Sequence, residues 1–193
     1  MKKDSLFQMC CDVGQDLYRA NMISSHGGNI SVRAGERLII KRRGTMMGHF
    51  EPQHLVETGI FEDDANTPLA SSELIVHRAI YRATPAQAVV HAHPRTTVAL
   101  SFSRSEIVPI DSEGAAILGP VPVVAVDVPS GSPEVAQAVA EALATHPIVV
   151  VRSHGSFATG ETLEQAFQRT SILEESSEII WKTELLKKGE ETL

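Results

Sequence analysis

The chain has few of the features that mark disulfide-rich proteins or thiolate metal sites. Its only two cysteines, Cys10 and Cys11, are adjacent in a helical pattern, where geometry disfavours their pairing. No second pair of thiols exists that could complete a cysteine-based zinc site. We therefore expect two reduced cysteines, lying in the core and at the surface.

Long apolar runs and an excess of positive charge are also absent. No stretch of about 18 apolar residues occurs, and the N-terminus lacks an apolar segment followed by a small-residue cleavage site. A cytoplasmic protein without a membrane span is therefore expected. The formal net charge of −7 and the pI near 5.6 argue against a nucleic-acid surface, although basic residues cluster at 41–43.

The length and composition favour one compact unit. With 42% hydrophobic residues among 193, the chain can form one sizeable domain with a buried core, and it shows no repeat or linker. We predict a single domain over 1–193. Apolar periodicity predicts helices at about 6–20, 73–82, 96–102, 133–144 and 162–187, interleaved with strands at about 30–33, 37–41, 87–91, 121–128 and 148–152. This alternation favours a three-layer α/β/α domain around a mixed sheet.

Two histidines alternate along the end of a predicted strand. In Val-Val-His-Ala-His-Pro, side chains at His91 and His93 point to the same face. His154 follows a second apolar strand in Ser-His-Gly, and loops at strand ends are where α/β sheets usually place their sites. Three neutral imidazoles suit Zn²⁺, with Glu73 as a displaceable fourth ligand. A His-x-His pair alone also fits ordinary core or surface histidines.

Four ordered motifs carry a resemblance to a known family. They are Gly-Gly-Asn-Ile-Ser-Val-Arg around Asn29, Ser71-Ser72-Glu73, His91-Ala92-His93-Pro94 and Ser153-His154-Gly155. Together they resemble the class II aldolase/adducin superfamily, and within it most closely the L-fuculose-1-phosphate aldolases. The resemblance implies an α/β/α fold with a mixed, largely antiparallel sheet, and a homotetramer of fourfold symmetry with active sites near subunit interfaces.

The resemblance also implies the roles of individual residues. His91, His93 and His154 would hold one zinc ion per subunit, and Glu73 would move protons during cleavage of a ketose 1-phosphate to dihydroxyacetone phosphate and an aldehyde. Phosphate oxygens would be held by donors at four matching positions, namely Asn29, Gly44, Ser71 and Ser72. Without the family context, Ser71-Ser72-Glu73 reads as a helix cap with a first-turn acid.

Two departures from the family pattern leave the substrate open. Relatives usually carry Thr or Ser before the glycine matching Gly44, whereas this chain has Arg43, which suits either phosphate or a carboxylate. The segment 108–114 also lacks the tyrosine that the aldolases supply from a neighbouring subunit to protonate the leaving aldehyde. Glu113 or Asp111 is the candidate replacement, and a solvated loop is the alternative.

Other functions stay open at this point. Superfamily members that decarboxylate 3-oxo-tetronate phosphates, dehydrate methylthioribulose phosphate or epimerise pentulose phosphates use much the same metal residues. A non-catalytic binding module like the adducin head domain is the alternative of a different class, and the complete metal set disfavours it. His77 is interpreted as a packed or capping histidine, and His26 as a residue that could line the pocket mouth.

Overall fold

One eight-stranded sheet, covered by helices on both faces, organises the chain. The computed structural model describes residues 3–190. The strands, in chain order, are β1 Asn29–Ala34, β2 Arg37–Lys41, β3 Leu55–Gly59, β4 Ala88–Ala92, β5 Glu106–Ile107, β6 Val121–Val124, β7 Ile148–Val151 and β8 Gly155–Gly160. The helices are α1 Lys3–Arg19, α2 Leu74–Ala83, α3 Arg95–Ser101, α4 Ser112–Ile117, α5 Pro133–Leu143 and α6 Leu163–Glu190.

The sheet is mixed and largely antiparallel, as predicted. Its strand order is β3-β2-β1-β4-β8-β7-β6-β5, and β6 with β7 is the only parallel pair in the described sheet. Because β1, β4 and β8 are antiparallel neighbours, the start of β1, the end of β4 and the start of β8 meet at one edge of the sheet. This edge carries Asn29, His91 and the turn containing His154.

Alternating side chains divide the core between the two faces. In β4, Val89 packs with α2 and α5, whereas Val90 packs with α1 and the start of α6. In β7, Val149 and Val151 face the first of these layers, and Val150 faces the opposite side. The three-layer α/β/α architecture is therefore confirmed.

Several sequence predictions need correction. The strand predicted over 121–128 ends at Val124, where the parallel partner β7 also ends. The segment 108–114, for which a solvated loop was one alternative, contains the start of α4, whose N-cap Asp111 accepts a hydrogen bond from the Gly114 amide. Cys10 and Cys11 are both buried and unpaired, so the expected surface position of one is wrong. Within residues 3–190, no helix is both long and apolar enough to cross a membrane.

Candidate active site

Three histidine side chains converge at the strand-end edge of the sheet. Each of His91, His93 and His154 offers a nitrogen, and these atoms all lie within 4.8 Å of one another. The Nε2 atoms of His91 and His93 are 3.0 Å apart. Two imidazole lone pairs at that separation repel unless a proton or a cation lies between them. The donor set therefore suits a divalent cation such as Zn²⁺.

The sheet fixes the orientation of His91. Its Nδ1 lies 2.9 Å from the carbonyl oxygen of Ser156, so this nitrogen carries the proton and Nε2 keeps its lone pair for a ligand. The ring also stacks on Phe157, its partner in β8, with centroids 4.1 Å apart and an angle of 14°. A hydrogen bond to the backbone and a packed ring together hold one rotamer and one tautomer.

A glycine makes the close approach of β8 to the histidines possible. A Cβ atom at Gly155 would lie 2.2 Å from the carbonyl oxygen of Ala92 and 2.7 Å from Cδ2 of His93. Neither distance is compatible with a side chain unless the backbone or the histidine ring moves. The residue after His154 must therefore be glycine for the three rings to meet.

Burial favours the neutral form of three histidines in this region, His77, His91 and His93. It lowers the pKa of His93 to about 4, with the proximity of His154 and Lys41 adding to the effect. Burial, and then the proximity of His93 and His154, lower the pKa of His91 well below its ordinary value. His77, a buried residue of α2, has its pKa lowered to about 3 by burial. Neutral imidazoles are the form that binds metal.

We expect these histidines to make the metal-free protein acid-sensitive. An unfolded histidine titrates near 6.5, whereas His77 in the folded protein titrates near 3, so protons bind preferentially to the unfolded state in this interval. The contribution of neutral His77 is complete above pH 6.5 and is lost as the pH falls toward 3. At 1.36 kcal/mol per pH unit, about 3 kcal/mol is lost by pH 4.5.

Urea unfolding of metal-free wild type and His77→Gln at several pH values between 4.5 and 7.5 measures this loss. Glutamine does not titrate, and the other ionisable groups are the same in both proteins. We therefore expect the variant's free energy of unfolding to fall by about 3 kcal/mol less than that of the wild type over this range. Equal pH dependence in the two proteins would show that His77 is not buried as a neutral group.

Glu73 lies in the same pocket as the histidines, at the N-cap of α2. Its carboxylate accepts hydrogen bonds from the Ser130 hydroxyl at 2.5 Å and the Gly131 amide at 3.1 Å. The alternative reading of Ser71-Ser72-Glu73 as a helix cap with a first-turn acid places Glu73 inside the helix, whereas Glu73 is itself the N-cap residue and makes no side-chain cap bond. Within residues 3–190, the cluster of metal-ligating atoms contains the three histidines without Glu73.

The predicted anion-binding residues line this pocket as well. The cavity has a volume of about 150 Å³ and is lined by the histidines, Glu73 and all five of the predicted binding positions, Asn29, Arg43, Gly44, Ser71 and Ser72. His26 also lines it. Asn29 and Ser71 are buried, whereas Arg43 is exposed. Gly44 has a φ of +74°, which permits a turn that L side chains rarely adopt.

Sequence reasoning missed Lys41 and Ser130 as pocket residues. Lys41, the last residue of β2, is 4% exposed, and its ammonium donates to the carbonyl oxygens of His26 and Gly28 at 2.8 and 3.1 Å. Burial lowers its pKa to about 8, so the group is still mostly protonated at pH 7. The signal for Lys41 was a charged residue at the end of an apolar strand pattern, Leu-Ile-Ile-Lys.

Glu113 does not reach the histidine pocket within one chain. It is exposed on α4 and lines a separate surface cleft beside α1 and α6. Asp111 is engaged as the N-cap of α4, where its Oδ1 accepts from the Gly114 amide at 2.7 Å. A role for either acid at the pocket would require a neighbouring subunit.

Comparison with known proteins identifies the family. A sequence model described as "Class II Aldolase and Adducin N-terminal domain" matches residues 8–181. The chain belongs to this family. Class II aldolases are metal-dependent, which agrees with the three-histidine cluster.

Similar proteins carry three different enzymatic names. A structure of L-fuculose-1-phosphate aldolase from Thermus thermophilus is 39% identical, with a TM-score of 0.91, covering 95% of this chain and 96% of that one. A 3-oxo-tetronate 4-phosphate decarboxylase from Escherichia coli is 27% identical over 93% of this chain and 87% of its own. A probable bifunctional methylthioribose-1-phosphate isomerase/methylthioribulose-1-phosphate dehydratase from Nocardia farcinica is 29% identical, but the match spans 34% of its length.

Proposed function

We propose that this protein is a zinc-dependent lyase that cleaves a ketose 1-phosphate, similar to L-fuculose 1-phosphate, into dihydroxyacetone phosphate and an aldehyde. The observation that carries the proposal is the meeting of three imidazole side chains, one carboxylate and a set of anion donors in a single cavity. Aldol cleavage needs an electrophile that stabilises the developing enediolate, a group that accepts a proton, and a site that binds the phosphate. The pocket offers side chains suited to each task.

His91, His93 and His154 would hold the zinc ion. When bound, Zn²⁺ would act as a Lewis acid that polarises the substrate carbonyl and stabilises negative charge. The chain supplies His91 in the correct tautomer through the Ser156 carbonyl, so little reorganisation is needed for binding. No lysine Schiff base is required in this scheme.

Glu73 would transfer protons to and from the dihydroxyacetone phosphate fragment. The hydrogen bonds from Ser130 and Gly131 hold both carboxylate oxygens at the pocket wall. Proton transfer by a positioned side chain of this kind is typically worth ~10²–10⁴ in rate.

The acid for the leaving aldehyde is proposed to be Glu113 of a neighbouring subunit. This role requires an oligomer. The homotetramer, the cytoplasmic location and the single domain over 1–193 stay predictions.

The phosphate group would lie at the N-terminus of α2. Ser71 and Ser72 precede this helix, whose first amide groups have no partners within the helix and favour an anion. Asn29 lines the same cavity, and Lys41 and Arg43 add positive charge. These donors suit a phosphorylated substrate.

A 3-oxo-tetronate-phosphate decarboxylase is the second candidate. Arg43 in the pocket and the missing tyrosine in 108–114 favour it, because a guanidinium binds a carboxylate bidentately and decarboxylation releases no aldehyde that needs this acid. A coupled assay for dihydroxyacetone phosphate on L-fuculose 1-phosphate, run beside detection of CO₂ from 3-oxo-tetronate 4-phosphate, separates the two. We expect the first assay to detect dihydroxyacetone phosphate. CO₂ release without aldol cleavage would instead identify the protein as a decarboxylase.

Replacing Arg43 with threonine is expected to weaken substrate binding. A hydrogen bond to a charged group contributes about 1.5–3 kcal/mol, so KM for the phosphorylated ketose should rise about tenfold or more, with a smaller change in kcat. Arg42→Thr is the matched control, because Arg42 is adjacent in sequence and does not line the cavity. Equal kinetics for Arg43→Thr and the control would exclude Arg43 from substrate binding.

A further inference from the structure

A buried chain of hydrogen bonds runs from α2 to the pocket. The Tyr81 hydroxyl lies 2.7 Å from the Ser31 hydroxyl, which lies 2.6 Å from Nδ1 of His77. Nε2 of His77 then lies 2.5 Å from Oδ1 of Asn29. All four side chains are buried, with relative exposures of 1%, 1%, 0% and 4% in the order Tyr81, Ser31, His77 and Asn29.

The direction of these hydrogen bonds can be worked out from the donor groups. Tyr81 is buried, and Ser31 is the one partner of its hydroxyl within the described residues, so Tyr81 must donate to Ser31 to avoid a buried unpaired O–H group. Ser31 then donates its own proton to Nδ1 of His77. Because burial keeps His77 neutral, with a pKa of about 3, its single N–H is on Nε2 and donates to Asn29.

This direction determines which end of the Asn29 amide faces the pocket. Oδ1 accepts from His77, so the Nδ2 amide group is the end left for another partner, and within residues 3–190 it has no hydrogen bond. The opposite orientation would present a carbonyl oxygen to the pocket. An oxygen would repel a phosphate, whereas an N–H group donates to it.

We propose that His77 is a positioning residue that, together with Ser31 and Tyr81, holds Asn29 with its Nδ2 donor facing the anion pocket. The inference deepens the proposed function and rests on it, because it assumes that the pocket binds a phosphate group. His77 itself does not line the cavity. It acts through Asn29, which distinguishes it from a histidine that only fills the core.

The tautomer of His77 in the wild-type protein is the direct test. Nitrogen-15 NMR of the zinc-loaded protein distinguishes a protonated Nε2 from a protonated Nδ1. We expect His77 as the neutral Nε2–H tautomer across pH 6–8. A neutral Nδ1–H tautomer would make Nε2 an acceptor, reverse the hydrogen bond to Asn29 and overturn the inference. This measurement needs no variant that could fail to fold.

A double-mutant cycle tests the functional consequence. Calorimetric titration of inorganic phosphate into zinc-loaded wild type, Asn29→Ala, His77→Phe and the double variant gives four dissociation constants. We expect each single change to weaken phosphate about tenfold, and the double variant to be no weaker than Asn29→Ala alone. His49→Phe, at an exposed position, is the control, and zinc content should stay at one per chain throughout.

The outcomes separate this inference from the proposed function. Wild-type protein that neither binds phosphate nor acts on phosphorylated substrates would contradict the proposed function. Phosphate binding that depends on Asn29, with no effect of His77→Phe or with additive effects in the double variant, would overturn the inference alone. If His77→Phe does not fold, Ser31→Ala replaces it, because removal of this hydroxyl leaves Nδ1 without a donor and should also weaken phosphate binding.

Discussion

Replacing His93 with alanine is expected to abolish both metal binding and turnover. The variant keeps two imidazoles, which is fewer than the three protein ligands of typical catalytic zinc sites. A Lewis-acid metal supplies several kcal/mol of transition-state stabilisation, and each 1.36 kcal/mol corresponds to a factor of ten, so we expect kcat/KM to fall by roughly 10³-fold or more. The metal content, measured by mass spectrometry, and the activity in the coupled assay should fall together.

A matched histidine change makes this result specific. His49 is exposed and lies outside the pocket, so His49→Ala should retain both zinc and activity. His93 is preferred over His91 for the main variant, because His91 is 1% exposed and stacks on Phe157, so its loss would also disturb the core. Full activity of metal-depleted His93→Ala would disprove the metal-dependent mechanism.

Replacing Glu73 with glutamine is expected to separate chemistry from metal binding. The three histidines are untouched, so most of the zinc should remain, whereas the group proposed to move protons is lost. Proton transfer of this kind contributes ~10²–10⁴ in rate, and kcat should fall by about that factor with little change in KM. Stopped assays on protein of known zinc content measure both quantities.

The control for Glu73→Gln is the same change at Glu62, an exposed residue outside the cavity. This variant should be indistinguishable from wild type. A Glu73→Gln protein that keeps both its zinc and its turnover would remove Glu73 from the mechanism. Loss of zinc together with turnover would instead identify Glu73 as an essential ligand.

The sequence predicts the elements that its apolar periodicity defines. Helices α2, α3, α5 and α6 and strands β1, β2, β4 and β7 lie where the pattern places them, within a few residues. The apolar periodicity does not predict strand β8, because its residues, Gly-Ser-Phe-Ala-Thr-Gly, include two glycines and no apolar alternation. All six are buried, since this central strand is covered on both faces.

The pocket residues divide in the same way between those with and those without a local pattern. His91, His93 and Glu73 belong to short motifs at predicted element ends, so their meeting could be expected. Ser130 has no such motif, because its contact with Glu73 joins positions 57 residues apart through the packing of α5 against α2. The role of Lys41 likewise depends on carbonyl groups of the 26–28 turn, which no sequence periodicity reveals.

The tight approach at Gly155 has a consequence for how this enzyme family can diversify. Because even a methyl group there would collide with Ala92 and His93, position 155 cannot take a side chain unless the backbone or the His93 ring moves. Changes in substrate preference are left to exposed residues at the rim of the pocket, such as Arg43. A protein built in this way can change the rim of its pocket while the three histidines keep their positions.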